Sequence, residues 1–291
     1  MDQVTFLWTL ASMLFAGLAL FMQKVVAEER RSSAFNGFVM YGVSGVIAAA
    51  TLLVLRELPS AWVVITLFGL AAGGIHGLGN FIRIESLKYI DSVLYFPLNK
   101  ILGPLLVVMG GVIIFADTLT TTQYIGIGLS LTVPLLLVSS VEHQRQTNLM
   151  LGLKLLLASS ILTAVSLLLS KQGLLYGSAV LLILCTSQIA GTITSAGILF
   201  KQHGAGRAMF THADRRDIGL GSISAFFNFT SSFCIYQALN TGLVSLVYVI
   251  QAHYILIPII LSVWWYRDHI NLRKFGAVAV SFLAITMLYT G

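Results

Sequence analysis

The sequence predicts an all-α polytopic membrane protein, with ten transmembrane helices arranged as two inverted five-helix repeats. Three observations carry that expectation. The composition is apolar and poor in charge, the apolar residues fall into ten long runs, and matched residues recur at fixed offsets between the two halves.

Of 291 residues, 57% are hydrophobic and 10% charged, and the mean hydropathy is +0.90. A soluble domain carries about 25% charged residues. This chain has too little polar surface to cover a water-facing exterior. Composition therefore excludes a soluble enzyme, a nucleic-acid-binding domain and a disordered protein. Ten helices of about 20 residues cross the ~30 Å hydrocarbon layer and use about 200 residues, which leaves only short connectors. Transmembrane β-strands alternate apolar and polar residues over about ten positions, and the unbroken apolar runs here exclude them.

The runs fall at 4–24, 35–55, 61–83, 92–115, 121–141, 149–170, 176–200, 217–239, 242–264 and 271–290. The first lacks the basic stretch of a cleaved signal peptide and reads as a span. Polar connectors such as AEERRSS, RELPSA, EHQRQTN and KQHGAGRAMFTHADRRD separate the others. Cys185 and Cys234 fall inside apolar runs, as buried thiols rather than a disulfide framework. Of the 17 Lys and Arg residues, 13 fall in connectors after odd-numbered spans and two in those after even-numbered spans. The positive-inside rule places the richer side in the cytoplasm. Both termini are then expected outside a cell (inner or plasma) membrane.

Ala11-Ser12-Met13-Leu14 opens a run reaching Lys24, and Ala158-Ser159-Ser160-Ile161 opens one reaching Lys171, at a common offset of 147. Pro104 and Pro258 differ by 154, and at that offset Asn99 and Lys100 fall on His253 and Tyr254. The chain thus divides into repeats at 1–144 and 145–291, within one integrated membrane domain. Five spans per half is odd, so the halves must run in opposite senses, an arrangement whose substrate site lies near the midplane.

Ten spans, a five-plus-five repeat and a proline in the fourth and ninth spans resemble the drug/metabolite transporter superfamily, EamA-like branch. That family carries a Gly-Glu-Arg-Leu type of turn before its fifth and tenth spans, with a glycine about nine residues on. Here Asp117-Thr118-Leu119 is followed by Gly126, and Arg267-Asp268-His269-Ile270 by Gly276. Both copies have Asp in place of Glu, and the second is one residue shorter. The resemblance covers the whole chain and implies a transporter. It also implies cytoplasmic termini, opposite to the charge count.

Polar side chains inside a bilayer face protein or a water-filled cavity. His76, Asn80 and Arg83 share one face of the third span, and Gly69, Gly73 and Gly77 recur every four residues, permitting close helix approach. Lys100 lies eight residues, ~12 Å, into the fourth span. Four residues on, Pro104 is expected to break the helix, as Pro258 does in the ninth span. Asn99 adjoins Lys100. Gln251, His253 and Tyr254 precede Pro258, and the eighth span adds Asn228. Lys24 and Lys171 read first as interface anchors.

No Asp or Glu lies deep in a span, so a small anionic or zwitterionic metabolite fits this lining better than an organic cation. Lys100 is the first choice for substrate contact, then Asn80, His76, His253, Tyr254, Gln251, Asn99, Arg83 and Asn228. If a proton is coupled to transport, it belongs to His76 or His253.

The expected partners are the substrate, the lipid bilayer and at most a second copy of the chain, with no cofactor, metal or nucleic acid. A flippase for a lipid-linked group is the alternative on the same fold. A channel lacks a recognisable filter. An intramembrane enzyme finds only the short His212-x4-Asp217 pattern, which reads as a solvated connector.

Overall fold

The computed structural model describes residues 1–29, 31–55, 58–86, 89–90, 92–137, 148–203, 214–258, 260–261 and 272–291. All regular structure among them is helical: α1 (Gln3–Glu28), α2 (Ser33–Leu55), α3 (Trp62–Ser86), α4 (Ser92–Phe115), α5 (Thr121–Leu137), α6 (Leu149–Leu174), α7 (Val180–His203), α8 (Arg215–Thr241), α9 (Val244–Ala252) and α10 (Leu272–Thr290). A 3-10 turn, His253–Ile255, follows α9, and helix resumes over 256–258. Seven of these helices are long and apolar enough to cross a membrane, and Thr121–Leu137, Val244–Pro258 and Phe275–Thr290 are shorter apolar helices. Many apolar side chains point outward, among them Leu53, Val54, Ile113, Ile193 and Phe282. This is the architecture of an all-α, multi-pass membrane protein.

The packing follows the small and hydroxyl residues. α3 packs on α6 and α7, α2 on α7 and α8, and α1 on α8 and α9. α4 lies against α6, α9 and α5, and α5 pairs with α10. In lipid there is little hydrophobic drive between helices, so close approach and interhelical hydrogen bonds hold them. The Gly69-Gly73-Gly77 stripe supplies the first. Gly69 faces Ile183 and Thr186, Gly73 the Ser187 carbonyl, and Gly77 Thr194, all on α7.

Serines supply the second. Ser12 Oγ and Ser231 Oγ each donate to the other's carbonyl at 3.0 Å, joining α1 and α8. Ser44 donates to the Ala225 carbonyl (2.9 Å), Ser166 to that of Ala72 (2.8 Å) and Ser86 to that of Gly152 (2.9 Å). One buried apolar cluster, including Ile65, Val107, Leu174, Ile183, Leu239 and Val247, ties α3, α4, α6, α7, α8 and α9 together.

At one end, α8 opens with a capping box. Asp214 Oδ1 accepts from the Asp217 amide (2.7 Å) and Asp217 Oδ2 from the Asp214 amide (3.1 Å). Arg31, between α1 and α2, donates to Asp214, Asp217 and Glu29 at 2.7–2.9 Å, and Arg216 also donates to Glu29. Asp217 is thus engaged in a cap and an ion pair, while its sequence neighbour His212 lies outside the described residues.

Two expectations are corrected. α4 runs unbroken through Pro97 and Pro104. A proline removes one hydrogen bond, and the remaining ladder of a 24-residue packed helix carries the chain past it. In the ninth span the ladder does change, but at His253–Ile255, three residues ahead of Pro258. Lys171 is not an interface anchor. It is 9% exposed and donates to backbone carbonyls of α8, because the α6 end that carries it is packed on α8 rather than facing lipid headgroups. The side chain of Lys24 lies outside the described residues.

Candidate functional site

Lys100 projects from α4 to the 3-10 turn after α9. Its Nζ donates to the Tyr254 hydroxyl and lies 3.8 Å from that ring's centroid. The two prolines frame this pair. Pro104 lacks the N–H that would bond the Lys100 carbonyl, and Pro258 lacks the one for Tyr254. Each proline thus leaves one carbonyl without its usual donor at the level of the cation, yet α4 stays helical there and only the ninth span departs from the α-helical ladder, at His253–Ile255.

The face predicted on α3 converges on the same region. Asn80 donates to the Tyr41 hydroxyl, and the His76 ring stands edge-on to Tyr41 with centroids 6.4 Å apart. Arg83 lies within electrostatic reach of Tyr41, His76 and Tyr254. Arg83 thus relates the Tyr41–His76 face to the Lys100–Tyr254 pair through charge at a distance rather than by contact. Among the described residues neither is ion-paired to a carboxylate. Positive charge with no carboxylate paired to it among the described residues favours an anion in a medium of low dielectric.

The other predicted residues are placed around this centre with different attachments. Asn99 Nδ2 donates to Ser160 Oγ on α6 (3.0 Å), and Gln251 Nε2 to Ser12 Oγ on α1 (2.8 Å). Asn228 joins α8 to α7 and α2 through Gln188 (3.3 Å) and Ser44 (3.4 Å). These amides link helices. His253 is 3% exposed, its Nδ1 beside the carbonyls of Val249 (3.0 Å) and Ile250 (3.2 Å). Together with Lys100, Pro104, Ser130 and Pro134 it lines a narrow crevice between α4, α5 and α9.

Sequence reasoning missed Tyr41, whose hydroxyl organises the α3 face. A tyrosine within an apolar run gives no signal until a polar neighbour is placed on it. It also passed over Asp117 as a polar group of the interior. Asp117 is 7% exposed and accepts from the Ser245 amide at 2.9 Å. Its position just after α4, with Ala116 in a left-handed conformation (φ 54°), turns the carboxylate back onto α9.

No family model matches the chain, and no curated protein matches it. A solved structure described only as "Crystal structure of protein" shares the fold, with a TM-score of 0.73 and 16% identity over 99% of each chain. At that identity the likeness concerns the fold alone.

Proposed function

We propose that this chain is a secondary transporter that moves a small anionic or zwitterionic metabolite by alternating access of two inverted five-helix halves, as its resemblance to EamA-like transporters implies. One observation carries the reading. Lys100 against Tyr254, and Arg83 within electrostatic reach of the same tyrosine, have no carboxylate paired to them among the described residues. A cation carrier needs the opposite sign at its centre.

The packing supports the inverted halves. Exchanging α1–α5 for α6–α10 turns the α3–α6 contact into α8–α1, and α3–α7 into α8–α2. The α2–α7, α4–α9 and α5–α10 contacts map onto themselves. Individual residues follow. Gly42 faces Thr192, and Gly45 faces Gln188 and the backbone of Ile189, pairs that the 147 offset interchanges to within one residue. Lys100 touches Tyr254, its own counterpart at the 154 offset, as residues on a two-fold axis must. A substrate site at the junction of inverted repeats sits on such an axis.

The test is counterflow in liposomes holding the purified full chain, with a panel of amino acids, dicarboxylates and phosphate esters. Substrate on the far side should accelerate uptake, which a channel does not show, and Lys100→Ala should abolish uptake while leaving folded protein. Wild-type uptake in Lys100→Ala, or no counterflow of any compound, overturns the reading.

A further inference from the structure

We propose that His253 carries a coupling proton and that proton and anion cross together, as symport. The proposal rests on the transport reading above and adds to it the identity of the proton site and the sense of coupling.

The geometry fixes the state of the ring. Val249 and Ile250 offer Nδ1 only carbonyl acceptors, so Nδ1 carries the hydrogen of the neutral ring and Nε2 a lone pair. Nε2 is buried and has no hydrogen-bond partner among the described residues. A buried polar atom left without a partner is uncommon and points to a bound species. The crevice that His253 lines has room for about one water molecule and contains Lys100. A crevice water is therefore the natural partner of Nε2 and its path for protons.

The surroundings set the sign. α4 contributes Lys100 to the crevice, and the titratable residues of α9 and its 3-10 turn besides His253 are Tyr248 and Tyr254. α1 packs at Gly17 against Ile257, in the stretch 13–21, which holds no titratable side chain. α5 presents Ser130 and Pro134 and has no titratable residue beyond Tyr124. α10 approaches through Ala277, one turn after Arg273 and Lys274. No carboxylate faces the ring among the described residues. His76, the other histidine of the region, stands edge-on to Tyr41 on α3, away from this crevice's lining.

A protonated His253 beside Lys100 is unfavourable alone and favourable with an anion present. Each ligand then tightens the binding of the other by the same factor. Where a single carboxylate takes either a proton or a cation, the two compete and exchange results. Here they cooperate, so they travel together. The Nε2 lone pair takes a proton from water on the entry side and returns it to water on the exit side. Nδ1–H stays in place, and no bond to the substrate forms.

The experiment uses the full chain with ¹⁵N-labelled histidines in lipid nanodiscs, with inorganic phosphate as probe and His253→Asn or His253→Gln identifying the signal. The Asn amide retains the donor to Val249 and cannot titrate. The His253 signal should show the Nδ1–H tautomer when neutral and, as the buffer is taken from about pH 8 to pH 5 with phosphate present, gain its proton at Nε2. Its midpoint should move when phosphate is added, and Lys100→Met should abolish that movement. A ring that stays neutral across this range with phosphate present, or a midpoint indifferent to phosphate, overturns the proposal.

In liposomes, wild-type anion uptake should rise up to about tenfold per unit of external acidification, as one proton per cycle requires, and a trapped dye should report lumenal acidification. In His253→Asn the ratio of rates at acid and neutral pH should fall to about one. Equal proton coupling in His253→Asn overturns this proposal and leaves transport standing. A phosphate-sensitive titration of His253 without counterflow of any compound overturns transport and symport, and retains the proton site.

Discussion

Lys171 Nζ donates to the Leu239 carbonyl at 2.5 Å, and also to the Gly242 carbonyl at 3.1 Å. These carbonyls close α8. Three residues after Gly242, the Ser245 amide in the first turn of α9 donates to Asp117 Oδ2 at 2.9 Å. A cation thus caps the negative end of one helix and a carboxylate the positive end of the next. The turn between α8 and α9 is held from two sides, by α6 and by the α4–α5 connector, and it fixes where α9 delivers His253 and Tyr254.

Removing either cap leaves buried backbone groups without partners, so Lys171→Met and Asp117→Ala should each destabilise the fold. The cost of an unsatisfied buried group is about 1–3 kcal/mol, with Lys171→Met the larger because two carbonyls lose their donor. The two side chains hold one turn, so the double variant should lose less than the sum of the singles. Thermal unfolding of the four proteins in one detergent measures this. Strict additivity shows that the two caps act independently.

The Gly69-Gly73-Gly77 stripe makes a second prediction. A Cβ on Gly73 would lie 2.1 Å from the Ser187 carbonyl oxygen and 2.6 Å from its Cα, both backbone atoms that no side-chain rotation can move. Gly73→Ala should therefore separate α3 from α7 and lower stability by about 1–3 kcal/mol. Gly74, on the next position, has open space around its would-be Cβ. Gly74→Ala should be near neutral, and equal unfolding temperatures for the two variants would contradict the packing.

Much of this was legible in the sequence. A run long enough to span the hydrocarbon layer identifies itself, and the spans expected at 92–115 and 149–170 match α4 and α6 within a few residues. The glycine stripe and the His76-Asn80-Arg83 face were also readable, since a 3.6-residue period fixes which side chains align. What was not legible depended on partners. A lysine at the end of a span has the same sequence signature whether it reaches for headgroups or for a neighbouring helix, as Lys171 does. Asn99 and Gln251 look like cavity residues until Ser160 and Ser12 are placed opposite them. Pro104 signals a break that the packing of α4 absorbs.

The two cysteines should be silent. Cys185 is 6% exposed and packs with Ala48 and Leu184, and Cys234 is 4% exposed. Thiol chemistry requires access for the reagent. In the folded protein a charged maleimide should add to neither, and both should react after denaturation, as intact-mass measurement reports. Labelling of either thiol in the native state would show that the α7–α8 region opens.

The charged network at the start of α8 should respond to acid. Arg31 and Arg216 hold the Glu29 carboxyl below its ordinary value of 4.5, through hydrogen bonds first and charge second. The Asp217 amide, followed by Arg31, holds Asp214 below 3.8. A carboxyl whose folded value is depressed contributes stability that is fully present above its unfolded value and is lost as pH falls through the folded one. The tether between the α1–α2 connector and α8 should therefore be intact at pH 7 and down to about pH 5, and should loosen below about pH 4. Hydrogen exchange at the Asp217 amide, which donates to Asp214 at 2.7 Å, reads this directly. Its protection should hold through neutral pH and fall in acid, and Arg31→Gln should move the loss to higher pH. Protection that is unchanged by Arg31→Gln would mean that the capping box alone, without the ion pairs, holds the start of α8.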